Sequence, residues 1–558
     1  MLLDWSPSRY TPFAHQLEDT QAVVDHPFFF IASEMRTGKT KIVIDAAQFL
    51  FFAGVIDRVI VICPEPVRGV WVGADSTTLG GELHEHLWLK TPTLVTEFHS
   101  KINQWRVGPA GPELRFIVSN YEFIRPYKRK DEAKKNDKAL QKLLKYCTPK
   151  TLFVLDESGA VTSHNSEQFE SCFAMRQKCG RVVLMNGTPM DTPIHLFAQG
   201  RMMHDSIIGT KFITHFKRRY AKEEPVISAR TGKQVMTPYN KGVTKIVGWK
   251  NLEDLQARFK PFTVRRLQAD CPDMPTKLPA VTLKATMSTE WPFYVSMRDD
   301  MLVMLEGSNA SISQQAIVKF MRLTQITGGF LGGIQDSGLD PPCVTCGGSG
   351  YIKQDMCADC EGSGIGAAQP LLSSVREVGR SKLDVLLWLL TDLLTKDPHI
   401  KIVIWARFVH ETQRILREVA KKFPDGVLVV GLFGGQPKHE RDFTKAMLHP
   451  LTAPKDMGVV SVGTIGTGSF GLDFSAARVS INYSYDHSLR KFLQSGDRVY
   501  GPRQVAPIEY FDIVAVGPKG QKTYDSVIVQ ARRDKQDLAT WTTDAWVKAL
   551  KEPAASDA

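Results

Sequence analysis

The feature that most constrains the fold is a recurrence of short, β-branched apolar runs separated by stretches of helical spacing. In the first part of the chain the runs fall at Phe28 to Ser33, Arg58 to Cys63, Phe116 to Asn120, Leu152 to Asp156 and Val182 to Asn186. A run without polar alternation is buried on both faces, and when a helix or loop follows each one the pattern is that of a parallel α/β sheet. The pattern fades between about Leu196 and Gly379 and resumes at Lys401 to Trp405, Val427 to Val430, Val459 to Val462, Val479 to Asn482 and Tyr510 to Val514. At 558 residues the chain exceeds what one core supports. The expectation is an α/β protein with two parallel-sheet lobes and an irregular, partly helical middle.

No apolar stretch approaches the roughly 18 residues of a membrane span, and MLLDWSPSRY lacks the basic flank and apolar run of a signal peptide. A soluble, intracellular protein is expected, with no membrane partner. Of nine cysteines, five (Cys63, Cys147, Cys172, Cys179, Cys271) are scattered singly, which makes no disulfide framework and fits a reducing compartment. The formal charge of +11 favours a polyanionic partner. The densest basic run, Tyr127 to Leu144, mixes both signs and ends in apolar residues at helical spacing. It reads as a solvated surface helix before it reads as a nucleic-acid contact.

The segment Ser33-Glu34-Met35-Arg36-Thr37-Gly38-Lys39-Thr40 follows the run Phe28 to Ile31 and opens a helix over Lys41 to Phe52. In this setting the backbone N–H groups of Glu34 to Thr40 cradle phosphates, Lys39 reaches the β- and γ-oxygens, and the Thr40 hydroxyl ligates magnesium. Ser33 stands where the GxxxxGK(S/T) pattern has its first glycine. Further on, the run Thr151 to Leu155 ends in Asp156 and Glu157. Beside a phosphate loop, the first carboxylate holds Mg2+ and the second orients the attacking water. Hydrolysis of ATP is expected.

Cys343-Val-Thr-Cys346 and Cys357-Ala-Asp-Cys360 are each followed by a Gly-x-Gly turn. Two such pairs supply four thiolates for a tetrahedral Zn2+, a reading preferred over a redox pair or free thiols because one redox pair would not explain two. The sequences resemble the CxxCxGxG repeats of the DnaJ cysteine-rich domain, although no His-Pro-Asp tripeptide of a J-domain is present. Such a knuckle staples a segment too small for its own core, or else touches a partner. Asp355, Asp359 and Glu361 nearby argue against a phosphate contact, so a protein partner is the better functional expectation.

With Asn186-Gly187-Thr188-Pro189 added, the first lobe resembles the superfamily II helicases and, in detail, the Swi/Snf-like DNA translocases. Tyr10 to Gln16 resembles the Q motif, in which Gln16 would read adenine. Val61 to Trp71 looks like motif Ia, Ser119 to Glu122 like motif Ib, and Asp156 to Gly159 like the DEAH-box position. Arg265-Arg266 with Asp270 and Lys277-Leu278-Pro279 is similar to the segment that follows the first lobe in that family. In the second lobe, Ser381 to Leu387 resembles the lead-in, Ile402 to Phe408 motif IV, and Leu432 to Gly435 with Arg441 the next element. Ser461 to Asp473 resembles motif V and Gln494 to Gln504 motif VI. The resemblance implies two RecA-like lobes, with residues 1–200 the first, 201–335 a helical protrusion and linker, 336–370 the zinc insertion, 371–545 the second lobe and 546–558 a tail.

It also implies a DNA-dependent ATPase that translocates on double-stranded or branched DNA, with Arg68, Asn120, Arg407 and Thr464 as track contacts and Asp473 at the nucleotide. A strand-separating or branch-migrating helicase is the alternative within the class. A degenerate motor acting as a DNA-binding or zinc-bearing adaptor is the alternative outside it, motivated by two departures: Gly159 replaces the family His, and Gly501 stands where motif VI carries its arginine finger. Arg498 matches the first family arginine and Arg503 sits two residues late, so the two are expected to share the role. The expected compartment is the cytoplasm, in association with the nucleoid, and a motor this compact suits a phage genome.

Overall fold

The structure is a computed structural model that describes residues 3–5, 8, 10–73, 81–88, 91–98, 111–125, 138–187, 193–226, 234, 242, 244–273, 277–306, 314–332, 351–352, 355–356, 375–468, 472–486, 489–501, 504 and 507–534. The chain divides into two compact units, Met1–Pro272 and Asp273–Ala558. The residues 201–335 that the sequence sets apart as one protrusion and linker are thereby shared between both units.

The first unit is built on seven strands: β1 (Phe28–Ile31), β2 (Arg58–Cys63), β3 (Thr93–Phe98), β4 (Leu114–Asn120), β5 (Thr151–Leu155), β6 (Arg181–Met185) and, after the antiparallel hairpin β7 (Ala221–Pro225) and β8 (Thr244–Trp249), β9 (Thr263–Val264). Their order is β3-β4-β2-β5-β6-β1-β9, and every neighbouring pair is parallel. Alternate residues feed two cores: Ile60, Ile62, Phe153 and Leu155 belong to one, Val59, Val61, Leu152 and Val154 to the other. That is the two-residue period of a strand buried on both faces, and it explains why these strands read as continuous apolar runs. Three helices bear on the site: α1 (Ala14–Asp25), α2 (Lys39–Phe52) and α3 (Glu65–Val72). Because all the strands run the same way, the residues after β1, β2, β4, β5 and β6 emerge at one edge, the usual place for a ligand in an open α/β sheet.

The second unit has its own parallel sheet, of β10 (Val281–Thr286) and, beyond two small antiparallel pairs, β15 (Lys401–Ala406), β16 (Val427–Leu432), β17 (Gly458–Thr464), β18 (Val479–Asn482) and β19 (Glu509–Val516). The order is β10-β19-β18-β15-β17-β16. The small pairs are β11 (Phe330–Leu331) with β14 (Arg376–Glu377), and β12 (Tyr351–Ile352) with β13 (Asp355–Met356). The second of these falls, in sequence, between the two cysteine pairs. Cys343, Cys346, Cys357 and Cys360 themselves lie outside the described residues, as do Thr188, Pro189, Arg503 and the tail 546–558. The five isolated cysteines are all unbridged. Among the described residues no group of His, Cys, Asp and Glu could hold a metal, and no helix is long and apolar enough to cross a membrane.

Candidate functional site

The loop between β1 and α2 carries the first part of the site. Gly38 has φ +81°, a left-handed conformation that glycine adopts without strain, and a Cβ there would strike the Gln16 Nε2. The Lys39 ammonium turns back onto the loop and donates to the carbonyl oxygens of Ser33 at 3.0 Å and Glu34 at 2.8 Å. Thr37 donates its hydroxyl to Glu34 O at 2.9 Å. The helix therefore begins with Lys39 and Thr40 at its first turn and the loop coiled around the ammonium, which is how a phosphate cradle is built.

Gln16 and its neighbour His15 support this loop. His15 Nε2 bonds Thr37 O at 2.8 Å, and Gln16 accepts from the Phe13 N–H at 3.0 Å while its amide approaches Thr37 O at 3.5 Å. Gln16, expected to read adenine, is thus held against the backbone of the phosphate loop. From the other side the segment after β9 clamps the same loop. The Glu34 N–H donates to Arg266 O, the Arg266 N–H to the Ser33 hydroxyl, and Gln268 donates through its backbone to the Glu34 carboxylate and through its amide to Met35 O. Arg266 in turn forks onto Asp19 and Glu18.

The carboxylates sit at the end of β5. Asp156 is buried, at 7 % exposure. Its Oδ1 accepts from the Glu157 N–H at 2.9 Å, its Oδ2 from the Trp71 indole N–H at 2.9 Å, and its main-chain carbonyl from the Tyr121 hydroxyl at 2.9 Å. Burial pushes the Asp156 carboxyl up from 3.8 to about 6; the adjacent Glu157 charge adds to the rise, while the Trp71 hydrogen bond and the Lys39 ammonium oppose it. Glu157 has φ +51°, and Arg36 in the phosphate loop has φ +65°. Among the described residues only one other non-glycine residue, Asn251, has a positive φ. Backbone held in this region collects at functional sites.

Whether a nucleotide and its magnesium suit these residues can be tested on the loop itself. At Gly187, after β6, a Cβ would meet Met35 Cγ at 2.7 Å and Lys39 Nζ at 3.3 Å, so the absence of a side chain there leaves room beside the ammonium. Asp156 is a desolvated acid next to a second acid, a combination that a divalent cation relieves, and its oxygens keep lone pairs beyond the two bonds named. Thr40 supplies the hydroxyl. The residues fit the group.

The candidate track residues of the first unit are less free than the sequence suggests. Arg68 on α3 pairs with Glu65 and with Glu97 of β3, and Asn120, only 2 % exposed, donates to Glu122 at 3.0 Å. In the second unit the Arg407 guanidinium donates to Tyr485 O at 3.4 Å and lies over the Phe408 ring. Thr464 is buried and bonds the Thr467 hydroxyl at 2.8 Å. Asp473 accepts from the Ser475 N–H at 3.1 Å. Arg498, 7 % exposed, donates from Nε to Gly468 O at 3.1 Å. At Gly501 an added Cβ would lie 3.0 Å from Ser475 Cβ, a tight contact that a side chain there would relieve only by a small shift of Ser475.

The sequence did not single out His15, Trp71, Tyr121, Arg266 or Gln268 for these contacts. Each lies inside a segment the family resemblance covers, but the hydrogen bonds join residues up to 248 positions apart in the chain, as Arg266 and Glu18 do, and no local pattern encodes them. No family model and no curated protein matches the chain. Among solved structures it aligns with the Sulfolobus solfataricus SWI2/SNF2 ATPase core in complex with double-stranded DNA, at 17% identity and TM-score 0.38 over 100% of both chains. It also aligns with the Sulfolobus solfataricus SWI2/SNF2 ATPase core domain, at 16% identity and TM-score 0.37, covering 99% of this chain and 97% of that one.

Proposed function

We propose that the protein is a DNA-dependent ATPase that moves along double-stranded DNA. The observation that carries the reading is the constellation at one sheet edge of the first unit: Lys39 held in its loop, Thr40 at the start of α2, and Asp156 and Glu157 at the end of β5. In this reading Lys39 leaves the carbonyl oxygens of Ser33 and Glu34 for the β- and γ-phosphates, and the N–H groups of the loop bind the remaining oxygens. Thr40 and Asp156 would hold a Mg2+, which when bound would neutralise charge on the phosphates. Glu157, displayed by its left-handed backbone, orients the water and takes its proton. A net charge of +11 supports a nucleic-acid track. The four cysteines would hold a Zn2+ in a knuckle suited to a protein contact, and the motor would work in the cytoplasm.

ATP hydrolysis measured with and without duplex DNA tests the reading. The parent should be stimulated by DNA, whereas Lys39→Ala and Glu157→Gln should lose about a hundredfold or more in rate, the scale of removing one electrostatic or proton-transfer group. A parent no faster than these variants makes the protein an adaptor and not a motor. Triplex displacement set beside strand separation then decides between a translocase and a helicase.

A further inference from the structure

Two buried aromatic side chains converge on Asp156 from the two segments that carry the candidate track residues. Trp71, 0 % exposed, lies on α3 one turn after Arg68 and donates its indole N–H to Asp156 Oδ2. Tyr121, 1 % exposed, directly follows Asn120 at the end of β4 and donates its hydroxyl to the Asp156 main-chain carbonyl. Both rings belong to apolar cores, and a phenylalanine would fill most of either place. What the polar atoms add is orientation. An indole can only donate, and the Tyr121 hydroxyl meets a carbonyl oxygen, which can only accept, so it donates as well. The carboxylate is therefore gripped at one oxygen by α3 and at its own backbone by the end of β4.

Arg68 sits three residues before Trp71, a spacing that puts the two on neighbouring positions of the helix surface. Arg68 now spends its donors on Glu65 and Glu97. A phosphate arriving there exchanges one of those carboxylates for itself, and any adjustment of α3 moves the indole and Asp156 Oδ2 with it. Asn120 and Tyr121 are consecutive, so the end of β4 has the same property. An interior packed at crystal density passes such shifts on instead of absorbing them.

We propose that Trp71 and Tyr121 are positioning residues that hold Asp156 for its magnesium and tie that carboxylate to the segments bearing Arg68 and Asn120. The inference rests on the proposed ATPase reading for the role of Asp156, and adds the route by which a bound track alters hydrolysis. Neither aromatic touches the nucleotide or the metal in this proposal.

The test compares the full-length parent with Tyr121→Phe, Trp71→Phe and the double variant, with thermal melting to confirm that each is folded. Two quantities are read: the Mg2+ concentration at half-maximal binding of a fluorescent ATP analogue, and the ratio of hydrolysis rates with and without duplex DNA. Removing a group that orients a metal ligand costs about ten- to a hundredfold in metal affinity or activity. Each single variant should therefore raise the Mg2+ midpoint by about tenfold and shrink the stimulation ratio, while equilibrium binding of duplex DNA stays within about twofold. Tyr121→Phe is the stricter arm, since it removes one oxygen and leaves the ring. A midpoint and ratio unchanged in both single variants overturns the proposal. So does a uniform loss of basal and stimulated rate with the midpoint unmoved, because that is what a packing defect alone produces. A parent that does not hydrolyse ATP counts against the ATPase reading itself, and the Mg2+ midpoint then upholds or overturns the positioning role by itself.

Discussion

In the second unit Lys382 and Asp525, 1 % and 0 % exposed at their side chains, face each other at 2.8 Å. Asp525 also accepts from the Thr327 hydroxyl and the Ala515 N–H, and the Lys382 ammonium lies about equally over the Tyr483 and Tyr485 rings. In the first unit Asp156 is also buried, but the charge that acts on it most strongly is that of another acid, Glu157, and the lysine that opposes it is bonded to loop carbonyls. The two units bury charge to opposite ends. Where every charge meets its complement inside the chain, burial serves the fold; where like charges are brought together and left under-compensated, the missing charge belongs to a ligand.

Breaking the compensated pair should have the largest effect on stability. Asp525→Ala strands the Lys382 ammonium in the core, and losing one partner of a buried ion pair costs about 3–5 kcal/mol. Denaturant unfolding should show the second unit melting early. A loss below about 1 kcal/mol, the scale of a surface pair, would show that the pair is not the complement this comparison takes it to be.

Glu411 sharpens the contrast, because it is the second unit's own under-compensated acid. It accepts from the Ser484 hydroxyl at 2.6 Å and from the Phe408 N–H, but Oε1 has no hydrogen-bond partner among the described residues. Burial pushes its carboxyl up from 4.5 to about 7, against the pull of those bonds and of Lys382. The folded state then binds the proton more tightly than the unfolded chain. The resulting stability is fully present below about pH 4.5 and is lost as pH rises through about 7, an effect of at most about 3 kcal/mol. Urea unfolding of Glu411→Gln should lack the fall in stability that the parent shows between those values. An equal fall in both proteins would assign the pH dependence to other groups.

The sheets were legible from composition alone wherever a strand is buried on both faces. The run expected at Arg58 to Cys63 is β2, that at Val479 to Asn482 is β18, and the other interior strands differ from expectation by one or two residues at an end. Among the edge strands β16 was expected, as Val427 to Val430, but β3, β9 and β10 escaped. In β3 the pattern leaves Leu94 and Val95 exposed, and β10, Val-Thr-Leu-Lys-Ala-Thr, pairs on one side only and carries polar residues that hide it in the stretch where the sequence pattern fades. Similarly, Lys39, Asp156 and Glu157 announce themselves because a strand, a loop and a helix in sequence position them. Trp71 and Tyr121 do not, since what matters about them is a hydrogen bond to a residue 85 or 35 positions away.

The smallest expected effect concerns Arg68, where the first unit's charges do look compensated. Its guanidinium is shared between Glu65 and Glu97, at side-chain exposures of 17 % for the arginine and 30 % and 17 % for the acids. If that pairing served the fold as Lys382 and Asp525 do, Arg68→Ala would cost stability and little else. Partly exposed pairs contribute about 1 kcal/mol or less, so melting should hardly move. The effect belongs in binding. Loss of one phosphate contact should weaken duplex affinity about equally on every sequence and lower the slope of log affinity against log salt by about 1. Glu97→Gln frees the guanidinium from one competitor and should strengthen binding over the same salt range. A salt slope unchanged in both variants would return Arg68 to the class of structural ion pairs.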